Sequence, residues 1–179
     1  MPGPIIRTPR LVLRQPSLDD AEPIARYLNN IQVAGNLARV PYPYERSYAQ
    51  DWLRSLRAPR TPDTVNFSID LDGSGYVGHI GYQPGPLGPV LGYWLGQPFW
   101  NRGIMSEAAS AAVDWFFAQT EAPALYSGVY HFNHASLAVQ KRLGFTEMGR
   151  STLHCLARDA EVEHIDTILT HGVWKARQA

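Results

Sequence analysis

Residues 100–107 read Trp100-Asn101-Arg102-Gly103-Ile104-Met105-Ser106-Glu107, and what precedes and follows them decides the fold. Upstream, Val90, Leu91, Tyr93, Trp94 and Leu95 form an apolar, strand-like run. Downstream, Ile104, Ala108, Ala112 and Phe116 recur at helical spacing, as do Met105, Ala109 and Val113, while Glu107, Ser110 and Asp114 mark a polar face. The stretch is therefore a tight turn between a strand and a largely buried helix over residues 104–118. Such a helix start leaves its first amides unpaired and carries the positive end of the helix dipole, so it suits an anion. Gly103 permits close approach, and Arg102 adds a charge beside it.

The same reading extends outward. Leu11, Val12 and Leu13 make a short strand, and Ser17-Leu18-Asp19-Asp20 supplies caps for a helix over residues 21–28. Proline and glycine break residues 34–43, after which Tyr48, Trp52 and Leu56 mark a second short helix placed to lie over a substrate site. Residues 65–70 and 76–82 alternate as a hairpin about Asp72-Gly73-Ser74-Gly75, and Pro84-Gly85-Pro86-Leu87-Gly88-Pro89 is the next connection. A strand over 124–130, a helix over 133–143 closed by Gly144, and strands over 145–156 and 162–170 complete a mixed α/β order with a long antiparallel portion.

The 179 residues carry no composition shift or polar linker, so one domain over 1–179 is expected. Sixteen basic and sixteen acidic residues cancel, which excludes a global field toward nucleic acid or an anionic membrane. The chain start has no charged leader, and no run approaches the roughly 20 apolar residues of a spanning helix, so a cytoplasmic protein with no membrane or nucleic-acid partner is expected. Cys155 is the single cysteine and agrees with a reducing compartment. His131 and His134 lack a carboxylate or thiolate to complete a metal set, so no metal is expected. An aromatic-rich surface leaves room for a homodimer.

The turn is neither a Walker loop, which requires Gly-Lys-Ser/Thr, nor a three-glycine dinucleotide fingerprint. It resembles the acyl-CoA pyrophosphate loop of the GNAT N-acetyltransferases. Asn133-His134-Ala135-Ser136 followed by Lys141-Arg142-Leu143-Gly144-Phe145, and the opening Thr8-Pro9-Arg10-Leu11-Val12-Leu13-Arg14 with Asp19 and Asp20 beyond, resemble the RimJ/RimL branch, which acetylates ribosomal-protein N-termini. The resemblance implies an α/β (α+β) GNAT fold, with a mixed, mostly antiparallel sheet splayed at the fourth strand and flanked by about four helices. It implies acetyl-CoA as acyl donor, its pantetheine paired with Tyr93, Trp94 and Leu95. Its pyrophosphate would meet the amides of Arg102, Gly103, Ile104, Met105, Ser106 and Glu107. Met105 stands where the family usually has Gly or Ala, and its apolar stripe places it in the core. Asn101 replaces a common Gly, and Asn tolerates the backbone angle this asks for better than most residues.

Acetyl transfer needs a neutral amine, donors for the oxygen of the tetrahedral intermediate and a proton for the departing thiolate. A free α-amine, with a pKa of about 7.7–8.0, is partly neutral at cytoplasmic pH. Relatives draw the thiolate proton from a tyrosine on the helix that here offers Ser136 as its nearest hydroxyl. Asn133 caps that helix and also faces the cofactor, and Lys141 is placed to meet a CoA phosphate. Where the branch carries a strand glutamate this chain reads Thr152-Leu153-His154-Cys155-Leu156, which makes His154 the expected base. Glu161, Glu163 and Asp166 would attract a cationic acceptor. The leading acceptor is a ribosomal or other protein N-terminus. Polyamines and aminoglycoside-like antibiotics are the alternatives, as is a catalytically silent acyl-CoA-binding module.

Overall fold

The computed structural model describes residues 3–56, 58–59 and 61–179. Eight strands form one sheet in the order β1-β2-β3-β4-β5-β6-β8-β7, in which β1 is Ile6–Arg7, β2 Leu11–Arg14, β3 Asn66–Leu71 and β4 Gly75–Pro84. The remaining strands are β5 Pro89–Leu95, β6 Ala124–Tyr130, β7 Thr146–Cys155 and β8 Ala160–Thr170. All neighbours pair antiparallel except β5 and β6, which run parallel. The helices are α1 Ala21–Leu28, α2 Ile31–Ala34, α3 Arg46–Ser55, α4 Ile104–Gln119, α5 His134–Leu143 and α6 His171–Arg177. The α/β architecture is the expected one, but the described residues hold six helices where the resemblance implied about four. The additions are α2, a single turn, and α6, whose interior Gly172 hides it from propensity reasoning. A two-residue β1 likewise shifts the expected fourth strand, residues 90–95, to fifth place.

The sheet's two faces differ. Tyr82, Leu91 and Leu125 face α4, whose two apolar stripes are buried, and Tyr82 stacks on Phe116 with centroids 4.8 Å apart. Met105 is 9 % exposed and belongs to this core. The other face carries α1 and α3, packed through Ile24, Leu28, Ala49 and Leu53 onto Tyr76 and Trp94. Position 103 needs the left-handed region (φ 72°), which glycine enters without penalty, and Asn101 enters it too (φ 59°). No helix among the described residues is long and apolar enough to cross a membrane, and no cluster of three His, Cys, Asp or Glu among them could hold a metal ion.

Asp20 anchors α1 to the sheet. It is 3 % exposed, accepts from Arg14 Nη2 at 2.7 Å and Ser68 Oγ at 2.7 Å, and takes the Ser17 N–H at 3.0 Å. Burial opposes its charge, but these donors outweigh burial and hold its pKa below 3.8. A depressed carboxylate stabilises the fold above its unfolded pKa and loses that contribution as pH falls through the folded value. Asp20→Ala is expected to lower the unfolding free energy by about 2 kcal/mol or more, allowing for partial solvent access of Arg14. Equal urea midpoints for the two proteins at pH 7 would refute this, and the gap between them should narrow on acidification.

Candidate active site

The sheet opens between β5 and β6. Their register holds at one pair, Val90 with Tyr126, supported by Ser127 Oγ donating to the Leu91 carbonyl at 2.8 Å. Beyond it the strands diverge into a cleft of about 2130 Å³ that reaches both faces. Alternation along β5 decides which backbone groups meet this opening. Gly96 N donates to Val77 O at 2.8 Å, so the in-register pair Trp94 and His79 also exchange bonds, and the main chain of Tyr93 and Leu95 points toward β6. Tyr93 N–H and C=O and the Leu95 N–H are therefore available to an extended ligand. The Leu95 carbonyl already accepts from Trp100 Nε1 at 2.8 Å. Trp94 departs from the expectation, because its main chain is committed to β4 and its side chain packs with the α1–α3 layer.

At the end of β5 the anticipated turn takes shape. Among the described residues, the amides of Asn101 through Ser106 donate to no protein acceptor. Glu107 does not belong with them: its N–H donates to the Gly103 carbonyl at 3.1 Å. Its carboxylate instead clamps the connection between β1 and β2, accepting from Thr8 Oγ1 (2.6 Å), Arg10 N (3.0 Å) and Arg10 Nε (2.7 Å). Burial works against that charge, yet the three donors hold its pKa below the usual glutamate range. Arg10 Nη1 also donates to the Arg102 carbonyl at 2.9 Å, so the clamp fixes the turn from outside. Ile104, Met105 and Ser106 line the cleft with Gly103; Arg102 is exposed beside Phe99 and does not. Lys141, expected at a phosphate, is exposed and outside the cleft. Its neighbour Arg142 lines it and donates to Ser106 Oγ at 3.1 Å, so the cation beside the turn is one residue later. A helix start, free amides and one cation fit a diphosphate.

Ser136 lies at the start of α5, where Asn133 Oδ1 accepts its N–H at 3.2 Å as a cap. Its hydroxyl is 2.8 Å from the Tyr93 hydroxyl, which also reaches the Ser136 carbonyl at 3.2 Å. Tyr93 thus brings a strand residue of β5 to the helix beside β6, spanning the opening. Burial raises the Tyr93 pKa, although Ser136 and Gln140 act to lower it, so the phenol stays protonated.

His154 lines the cleft as expected, but at its exposed edge and paired with a carboxylate on the strand face away from His164. Alternation along β7 sets it on the face of Arg150 and Thr152, opposite to Ser151. Its Nδ1 meets Glu161 at 2.8 Å, and its side chain is 48 % exposed. Ser151, His164 and Asp166 share the other face. Asp166 Oδ1 takes His164 Nδ1 at 2.7 Å and the Ser151 hydroxyl at 2.9 Å, so Nδ1 carries the proton and Nε2 offers a lone pair. The His164 ring lies over Gly128: a Cβ there would overlap Cε1 and stand 2.7 Å from Nε2. Counting on from the Val90–Tyr126 pair, Gly92 and Gly128 face each other across the opening, and nothing lies within 4 Å of a Cβ built on Gly92. Bare backbone there leaves room for reactants beside His164. Sequence reasoning missed His164; its signal was a histidine two residues from an aspartate on one strand, with a glycine interrupting the neighbouring strand.

Comparison with known proteins agrees with this geometry. A family model described as an acetyltransferase (GNAT) domain matches residues 10–146. An uncharacterized N-acetyltransferase, p20 of Bacillus licheniformis, is 25% identical over 149 residues, covering 79% of this chain and 82% of that protein. The crystal structure of a GNAT-family acetyltransferase from Bacillus anthracis has the same fold, with TM-score 0.80 at 18% identity over 94% of this chain and 99% of that one. Mycobacterium smegmatis RimJ, solved with CoA-disulfide, gives 0.74 at 22% identity over 94% and 86%. With a family model that takes in β2 to β6, the opening between β5 and β6 and the turn at Gly103, the chain belongs to the GNAT acetyltransferases.

Proposed function

We propose that this chain transfers the acetyl group of acetyl-CoA to a protein N-terminal α-amine by direct attack in a ternary complex. One observation carries the proposal: a single cleft joins unpaired amides at a helix start to an imidazole held by a carboxylate. The amides of residues 101–106 and Arg142 would hold the diphosphate, and Tyr93 and Leu95 main-chain groups the pantetheine arm. His164 Nε2 accepts the proton that the amine loses on attack. The Leu95 N–H faces the opening and is the donor offered to the carbonyl oxygen as it gains charge. Ser136 gives its hydroxyl proton to the departing thiolate and is reprotonated through the Tyr93 phenol 2.8 Å away, which regains its proton from solvent once CoA leaves.

Two features favour an α-amine over a lysine or a polyamine. An imidazole base is matched to an acceptor already partly neutral, with a pKa of about 7.7–8.0, rather than to one near 10.4. Asp166 is tied to His164 and Ser151 instead of standing free to attract a polycation. The resemblance of residues 8–14 and 133–145 to the RimJ/RimL branch supports the same acceptor class. The test is a panel of N-terminal peptides and small amines incubated with acetyl-CoA. Acetylation confined to lysine ε-amines or polyamines would contradict the acceptor reading, and CoA binding with no acetylation would favour a silent binding module.

Ser136→Ala is expected to lower kcat by about tenfold, since the Tyr93 hydroxyl remains nearby, with CoA affinity little changed. Unchanged kcat in the alanine variant removes Ser136 from the proton path.

A further inference from the structure

His79 lies in the middle of β4, on the face covered by α1 and α3, directly across from Trp94 of β5. It is 9 % exposed and lines the cleft, one strand away from the opening. Trp52 of α3 meets it edge to face, with ring centroids 5.0 Å apart. Among the described residues its ring makes no hydrogen bond. Nδ1 is fully buried without a partner, and Nε2, which is not sealed in this way, is the nitrogen that reaches the cleft.

The two nitrogens have different requirements. A buried N–H with no acceptor is rarer and costlier than a buried lone pair with no donor, so the proton belongs on Nε2. Burial lowers the pKa of this histidine to about 4, although Asp20 acts to raise it, so the ring is uncharged at neutral pH. What faces the cleft is a neutral N–H donor between two indoles. The carboxylates nearby are already engaged: Asp20 is bound to Arg14, and Asp51, 76 % exposed on α3, lies 3.5 Å from Arg54. This subsite has a donor for oxygen, apolar walls and, among the described residues, no buried carboxylate left free to hold a second cation.

Resting on the acetyltransferase reading above, we infer that His79 selects the acceptor by donating its Nε2–H to a neutral oxygen. The acceptor is then an amine whose neighbouring carbonyl and apolar side chain lie between Trp52 and Trp94, as in a peptide beginning with an apolar residue. A polyamine has no such oxygen and gains nothing here.

Leucinamide and 3-methylbutylamine test this, because they share the apolar branch and the second lacks the carbonyl. Their kcat/KM ratio, compared between variants, cancels the difference in amine basicity. His79→Asn is expected to lower kcat/KM for leucinamide by about tenfold and leave 3-methylbutylamine and the acetyl-CoA KM unchanged. His79→Gln, whose amide nitrogen reaches the Nε2 position, should retain most of the leucinamide rate; thermal melts of both variants guard against a folding defect. Equal losses on both amines, no loss on either, or a wild-type preference for spermidine over leucinamide would overturn the assignment of His79 while leaving acetyl transfer standing. If the wild type binds CoA yet acetylates no amine, the enzymatic reading fails and this inference falls with it.

Discussion

His164→Gln is expected to lower kcat by about 10²- to 10⁴-fold, the range that a positioned base contributes, with little change in CoA affinity. The expectation follows from how the ring is held. Asp166 fixes Nδ1 at 2.7 Å and is itself steadied by Ser151, so Nε2 points at the opening with its lone pair free. Glutamine keeps the size but places an amide where the base stood. Gly128→Ala should reproduce part of the loss without touching the imidazole's chemistry, because the added methyl occupies the ring's position. His154→Gln serves as the contrast: a ring at the exposed edge of the cleft, with Nδ1 taken up by Glu161, should change kcat less than twofold, about 0.4 kcal/mol. Loss of activity in His154→Gln with an unaffected His164→Gln would reverse the assignment of the base.

Gly103→Val is expected to weaken CoA binding at least about tenfold while costing the fold only about 1–2 kcal/mol, the penalty for an L-residue in the left-handed region. The asymmetry has a steric origin. A Cβ at position 103 meets nothing in the protein nearer than Arg10 Nη2 at 3.5 Å, so no core contact is lost; a β-branched residue instead disfavours φ 72° and pulls the turn's free amides out of alignment. Titration of CoA into the folded variant measures the loss, and an unchanged Kd would show that the turn does not hold the diphosphate.

Much of the architecture was legible because its signals are local. The α4 stripes and the Gly144 cap of α5 each follow from periodicity or backbone requirement within a few residues, and Gly144 indeed sits at φ 101°. The turn at Gly103 was legible for the same reason. The Asn133 cap and the core position of Met105 also emerged from spacing alone.

What could not be read depends on register across strands. Whether His154 shares a face with His164 and Asp166 is decided by which residue of β8 pairs with which of β7, and a one-residue slip of β7 would turn His154 over. The commitment of Trp94 to β4 and the use of the Glu107 carboxylate by Thr8 and Arg10 are contacts between distant segments, the latter 97 to 99 residues apart. The Tyr93–Ser136 pair joins residues 43 apart and exists only because the strands part beside α5. Arg142 rather than Lys141 meets Ser106 because of the rotational phase of α5, which the sequence displays only to within a residue.

Calorimetric titration of the wild-type protein with CoA, and separately with pantetheine, tests the account at its base. CoA should bind with pantetheine at least about 100-fold weaker, a difference of about 2.7 kcal/mol supplied by the amides of residues 101–106 and Arg142 acting on the diphosphate. Equal affinity for the two ligands, or no heat from CoA at all, would contradict it.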